Sequence, residues 1–282
     1  MIRVLELFCG TKSIGKVCDE LGWESISVDL ESKFNPTHLC DIMDFDYKQY
    51  PKDYFDIVWA SPPCTSYSHL LSCWIGRKRK DGTIFTKEKM ELDMIESDKI
   101  ILKTLEIINY FNSHYWFMEN PQTGRLKNRE VVKDINFYDV DYCKFCDWGY
   151  KKRTRIWTNR TDYEPLICNN DCENIVIVDT DGAFHTSGKA IKSATRKIHS
   201  NPIGDGNKCK AVKKQYLHKE RMGTSKTIKD GDKIIRCNTA ELREKYKDFP
   251  NIQKEKNAFG NGTSLEDRYR IPPNLIYSLF LE

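Results

Sequence analysis

The chain has 282 residues, of which 39% are hydrophobic and 12% aromatic, enough for one large α/β domain and a smaller lobe, and too apolar for a disordered chain. No run of about 18 apolar residues could span a membrane, and Met1–Phe8 carries its charges too early and its apolar stretch is too short for a signal peptide, so the protein is expected to stay inside a cell. The formal net charge of +4 divides unevenly, with 19 Lys+Arg against 24 Asp+Glu in residues 1–150 and 26 against 17 in residues 151–282, so any polyanion-binding face is expected in the second half.

Ile2–Leu7 is a short apolar run that reads as a strand and ends at Phe8-Cys9-Gly10, where the chain must turn. Ser13–Leu21 has helical spacing through Ile14, Val17, Cys18 and Leu21, and stops at Gly22. Glu24–Asp29 reads as a second strand, and Phe55–Ala60 as another that breaks at Ser61-Pro62-Pro63. Glu91–Asn112 predicts a long helix with Met94, Ile95, Ile101, Leu102, Leu105, Ile108 and Phe111 as its apolar stripe. Tyr115–Met118 predicts a strand ending at Glu119-Asn120-Pro121. Strands alternating with helices imply a doubly wound, mainly parallel sheet, with ligands beyond the carboxyl ends of its strands. Those ends carry Glu6, Asp29, the Ser61–Cys64 turn and Glu119-Asn120.

Beyond about Asn159 the pattern weakens. Ile175–Val178 is one short strand, and Thr186–Lys233 is polar, basic and without a sustained period. Within 189–229 there are 12 basic residues and two acidic ones, Asp205 and Glu220, the footprint of a polyanion-binding lobe or of a solvated lysine-rich surface. The last segment predicts a helix with proline in its first turn, whose Leu275, Ile276, Leu279 and Phe280 return to the first domain. The expected division is a catalytic domain over 1–159, a small basic lobe over 160–235, and a returning segment over 236–282.

In Glu6-Leu7-Phe8-Cys9-Gly10-Thr11-Lys12-Ser13-Ile14-Gly15, Gly10 permits a tight turn and Gly15 a close helix approach, while Asp29 could bind a pair of ribose hydroxyls. A plain βα turn would look the same. Ser61-Pro62-Pro63-Cys64 is more telling, because two prolines fix the backbone and set Cys64 at a strand end before polar residues. That setting suits an exposed nucleophile better than a structural thiol.

Phe8-Cys9-Gly10, Pro63-Cys64, Glu119-Asn120 and Arg153-Thr154-Arg155 stand in the order of four motifs of the DNA cytosine-5 methyltransferase family, which the chain resembles over residues 1 to about 159 and again near its C-terminus. The resemblance implies an S-adenosylmethionine-dependent, Rossmann-like enzyme that methylates carbon 5 of a cytosine flipped out of double-stranded DNA. It implies Cys64 as covalent nucleophile on carbon 6 and Glu119 as the group that hydrogen-bonds the base edge, with Arg153 and Arg155 holding base and thiolate electrostatically. On the bland reading Glu119 is a salt-bridged surface acid, and the two arginines, which alternate along a strand and share a side, mark a solvated edge. Phe8, Gly10 and Thr11 are implied to line the cofactor, Asp29 to bind its ribose, Asp41 and Ile42 (after a strand at His38–Cys40) to meet its adenine, and Pro63 to border its methionine end. Ser68–Thr86, with Arg77-Lys78-Arg79-Lys80, is implied to be the loop that closes over DNA.

The chain departs from the family in several places. Lys12-Ser13 stands for paired glycines, Glu-Asn-Pro for Glu-Asn-Val, and Tyr150-Lys151 for Pro-Gln; Arg236, Thr239 and Phe249-Pro250 match the ninth motif only in part, and Ile271-Pro272-Pro273 lacks a preceding Gly-Asn. The pattern is that of a compact, divergent member, of the kind phages and large DNA viruses carry, and it bears on sequence specificity more than on chemistry. It is expected to act as a monomer. Two rivals stay open: an RNA cytosine methyltransferase with the same site, and an inactive DNA-binding relic whose cofactor loop has decayed at Lys12-Ser13.

Eleven cysteines, an odd number, argue for thiols, a metal site or catalysis rather than a disulfide framework. Cys143-x2-Cys146 with Cys168-x3-Cys172 has a spacing that could clamp one structural zinc ion, with His185 as a substitute ligand; Cys143 equally suits a core position.

Overall fold

A computed structural model describes residues 1–79, 81–148, 150–179, 195–199, 226–230, 233–237 and 269–281. They fall into two compact units: residues 1–146, 152–167 and 269–282 form the first, and 147–151 with 168–268 form the second. The division between these units falls at Cys168, with the short stretch 147–151 in the second, beside the expected domain boundary at 159/160.

The first unit is built on a seven-stranded sheet. Its elements are β1 (Arg3–Leu7), α1 (Ser13–Leu21), β2 (Glu24–Asp29), β3 (His38–Leu39), β4 (Ile57–Ala60), α2 (Lys87–Phe111), β5 (Tyr115–Pro121), β6 (Phe137–Asp141), β7 (Arg153–Thr158) and α3 (Pro273–Leu281). The strand order is β3-β2-β1-β4-β5-β7-β6. β3, β2, β1, β4 and β5 run parallel, while β7 is antiparallel to both β5 and β6. This is the doubly wound, Rossmann-like arrangement the alternating pattern predicts. β2 lies on one side of β1 and β4 on the other, so the order reverses at β1, the kind of switch point beyond whose strand ends open α/β sheets bind ligands.

The central strands are apolar on both faces because both faces are covered: Val4, Leu5, Leu7, Val58 and Ala60 are fully buried. α1 has the predicted bounds and stops at Gly22, whose left-handed backbone (φ 67°) ends the helix. α2 begins at Lys87, four residues before the prediction, because the Thr86 hydroxyl accepts the Lys89 amide at 3.1 Å and caps it. Its buried face is Met94, Ile101, Thr104, Ile107, Ile108 and Phe111, whereas the predicted stripe residues Ile95 and Leu102 are exposed. Each follows a buried residue by one position, about 100° around the helix and off the packed face.

β5 does not end at Met118. It runs on through Glu119-Asn120-Pro121, because β7 pairs with all three. β6 was not predicted; its Asp139 and Asp141 interrupt the apolar pattern and find partners across the strand. The returning helix α3 buries Leu275, Ile276, Leu279 and Phe280 as predicted. Phe280 packs with Trp23, Trp59 and Phe117 at ring-centroid distances of 6.1, 6.2 and 5.7 Å, and the buried Arg160 donates to the Leu279 carbonyl at 2.8 Å, at the helix's negative end.

In the second unit β8 (Ile175–Asp179) pairs antiparallel with β9 (Thr195–His199), and β10 (Lys226–Asp230) with β11 (Lys233–Cys237). β9 and β10 lie in the stretch predicted to lack regular structure. Among the described residues no helix is long and apolar enough to cross a membrane.

Candidate active site

Because β1 to β5 are parallel, their carboxyl ends gather Phe8, Gly10 and Thr11, Asp29, Asp41-Ile42, Pro63-Cys64 and Glu119 along one sheet edge. The loop after β1 is held tightly. Phe8, Gly10 and Lys12 all adopt positive φ (59°, 46° and 54°), a conformation costly for the two that are not glycine. Asp29 explains how the loop is kept: one carboxylate oxygen accepts the Gly10 amide at 2.9 Å and the other the Glu31 amide at 2.8 Å. Lys12 also donates from Nζ to the Asn35 carbonyl, and the Ser13 hydroxyl accepts the Ile271 amide at 3.1 Å. The two residues that replace family glycines thus tie the loop to its surroundings. After β3, Ile42 is buried, and Asp41 accepts the Met43 amide at 2.9 Å.

Glu6 had no assigned role in the sequence reading. Its carboxylate is buried and accepts the amides of Ile14 and Gly15, each at 3.1 Å, so it fills the first turn of α1. A Cβ on Gly15 would meet the Glu6 carboxylate at 3.4 Å, in ordinary van der Waals contact. Burial raises the Glu6 pKa to about 7 against the opposing pull of the two amides and Lys12.

Cys64 is half-buried just past β4, with helical backbone, and opens a 3₁₀ turn over Thr65–Tyr67. Asn120, buried on β5, donates from Nδ2 to the Pro62 carbonyl at 2.9 Å and so fixes the turn that carries the thiol. Behind it, Arg125 donates to the Ser68 carbonyl at 2.7 Å, and Tyr67 donates to Asp98 at 2.9 Å, itself forked by Arg129. Ser68–Thr86 accordingly has its own structure among the described residues, a 3₁₀ helix over His69–Trp74 and a bridge between Lys78 and Ile84, with Arg79 paired to Asp93 at 3.0 Å.

Glu119 is buried, and three groups converge on its Oε1: the Thr154 hydroxyl, the Tyr142 hydroxyl at 3.2 Å and Lys152 Nζ at 3.4 Å. The arginines lie elsewhere. Across the β5–β7 pair Glu119 stands opposite Ile156, and Thr154 and Ile156 share its face. Arg153 and Arg155 therefore project from the opposite face, where β6 supplies their partners. Arg153 forks onto Asp141 at 3.0 and 2.7 Å and Arg155 onto Asp139 at 2.7 and 2.9 Å, the latter also lying 3.5 Å over the Phe137 ring. Lys152, one residue before β7, is the cation beside Glu119. Burial first, and then the Glu119 charge, push the Cys64 thiol above its ordinary pKa, while Lys152 pulls it down. The site is thus a thiol, a carboxylate and an ammonium at one edge of the sheet.

A Frog virus 3 (isolate Goorha) protein named "Probable DNA (cytosine-5)-methyltransferase" is 35% identical over 209 residues, covering 70% of this chain and 92% of that protein. The chain belongs to the DNA (cytosine-5)-methyltransferase family. Among solved structures, an Entamoeba histolytica methyltransferase, EhMeth, superposes with a TM-score of 0.41 at 17% identity over 60% of this chain, and the S. pombe Dnmt2 methyltransferase with 0.33 at 13% over 61%. This chain spans 56% and 52% of those two chains. No family model matches it.

Within this methyltransferase, sequence reasoning missed Lys152, Asn120, Thr154 and Glu6. Asn120 and Thr154 stood inside quoted motifs, and Lys152 adjoined one, but which face each occupies depends on strand pairing. Of the four cysteines expected to bind metal, Cys168 and Cys172 lie in the second unit with His199, whose Nε2 is 3.6 and 3.4 Å from their sulfurs. Cys146 donates its thiol to the Tyr142 carbonyl at 3.1 Å, and Cys143 is buried in the first unit. His185 lies outside the described residues.

Proposed function

We propose that this chain methylates carbon 5 of cytosine in double-stranded DNA, acting as a monomer, with Cys64 as the covalent nucleophile. The observation that carries this reading is the placement of Cys64 beyond β4, pinned by Asn120, with buried Glu119 on the neighbouring strand. The site also fits S-adenosylmethionine. A helix N-terminus usually invites phosphate, but at α1 the Glu6 carboxylate already accepts those amides, which disfavours a phosphate-bearing cofactor and leaves room for one without phosphate. Phe8, Gly10, Thr11, Asp29, Asp41, Ile42 and Pro63 would hold it. When bound, the cofactor supplies an electrophilic methyl group on a sulfonium.

Cytosine carbon 5 is a poor nucleophile, and attack of the Cys64 thiolate on carbon 6 makes it enamine-like. Glu119, oriented through Oε1 by Tyr142, Thr154 and Lys152, would hold the polar edge of the flipped base while charge builds there. Lys152 would steady the thiolate. After methyl transfer, loss of the carbon 5 proton to a base and cleavage of the Cys64–carbon 6 bond release the product and regenerate the thiol. Arg153 and Arg155, forked onto Asp141 and Asp139, brace β7 and with it Thr154 and Lys152. A zinc ion among the cysteines would be structural and outside this chemistry.

The test incubates wild-type protein and Cys64→Ala with S-adenosylmethionine and mixed-sequence duplex DNA, followed by mass spectrometry of the nucleosides. 5-Methyldeoxycytidine with wild type alone supports the reading. Methylation of tRNA but not DNA would replace it with the RNA enzyme, and neither product, without cofactor binding, with the relic.

A further inference from the structure

We propose that Cys168, Cys172 and His199, all in the second unit, hold one structural zinc ion. Their three ligand atoms all lie within 4.8 Å of one another. Around a tetrahedral zinc with Zn–S of about 2.3 Å and Zn–N of about 2.0 Å, a sulfur and a nitrogen stand about 3.5 Å apart. The two sulfur-to-Nε2 distances are 3.6 and 3.4 Å.

Hydrogen bonding accounts for this arrangement less well. A neutral imidazole offers one lone pair at Nε2, which can take one thiol proton and not two. A disulfide does not account for it either, since none joins Cys168 to Cys172.

The fold explains why these residues meet. β8 and β9 pair with Ile175 opposite His199, and the Ile175 amide donates to the Cys172 carbonyl at 3.2 Å. Strand pairing thus returns the histidine, 31 positions along the chain from Cys168, to the Cys-x3-Cys turn. Cys168 and His199 are both buried, as suits a closed structural site. A zinc here closes that segment at its ends, the kind of staple a small unit with little apolar sequence needs.

The test is metal analysis of the full chain, purified without a metal-affinity step after growth in zinc-supplemented medium. One zinc per chain is expected, retained in Cys64→Ala and Cys73→Ser, and released by an organomercurial into a chromogenic chelator. Cys172→Ser and His199→Ala should each lower the content at least fivefold. Should these variants fold poorly, cobalt titration of the metal-free wild type should give the intense visible bands of tetrahedral cobalt with thiolate charge transfer. Wild-type protein that neither retains zinc nor yields that spectrum overturns the site, as does full zinc content in folded His199→Ala. None of these readouts depends on methyltransferase activity.

Discussion

Cys64 is caught between opposing influences. Burial and Glu119 favour the neutral thiol, and Lys152 favours the thiolate. Replacing Lys152 with methionine removes a favourable charge, so the thiol pKa should climb and the thiolate fraction at pH 7 should fall. The expected outcome is a kcat/KM lower by about tenfold for each pKa unit gained, with the acid limb of its pH profile moved to higher pH and Lys152→Arg restoring most of it. An unmoved profile in the methionine variant would mean that Lys152 acts only through packing. Asn120 acts one step back, through the Pro62 carbonyl. Asn120→Ala leaves that acceptor without its amide and should cost about 1–3 kcal/mol in urea unfolding, together with a drop in kcat at nearly unchanged cofactor affinity. Cys64 and Glu119 stood out in the sequence as candidates, because few residue types can do such chemistry and both follow apolar runs. Lys152 was not, because the sequence signal favoured the conspicuous pair Arg153 and Arg155, and one position along a strand reverses the face.

At the scale of elements, the junction of β1 and α1 has a testable electrostatic signature. Glu6 titrates near 7 in the fold, against an ordinary value of 4.5. Between those two values the folded chain binds more protons than the unfolded one, so this group makes stability fall as pH rises from about 4.5 to about 7. The accumulated loss is on the order of 3 kcal/mol. Urea unfolding of wild type and Glu6→Gln at pH 5 and pH 8 should show the glutamine variant gaining on wild type by about that amount at the higher pH. An equal difference at both values would refute the buried charge. The helix itself was readable from Ile14, Val17, Cys18 and Gly22, since a 3.6-residue period and a left-handed cap are local properties. The extension of β5 through Pro121 was not, because it depends on β7, more than thirty residues later, arriving antiparallel beside it.

For the whole molecule, the charge asymmetry is the reason to look for DNA binding in the second half of the chain. If Lys208, Lys210, Lys213 and Lys214 meet phosphates, changing three of them to glutamine should flatten the slope of log K against log salt by roughly 2–3. The loss of affinity should be similar across DNA sequences, as measured by fluorescence anisotropy; an unchanged slope would return these lysines to a solvated surface. The amino-acid sequence by itself determined the alternation of strands and helices and the doubly wound class, and it named Cys64 and Glu119 as candidate nucleophile and carboxylate. These follow from local periodicity and from the few side chains able to do covalent chemistry. Only the tertiary structure decided which cation stands beside Glu119, that Glu6 fills the first turn of α1, and that His199 rather than a nearer residue joins Cys168 and Cys172. Each of these depends on strands brought together from distant parts of the chain, and pairing register, which sets the face every side chain takes, is written in no single segment.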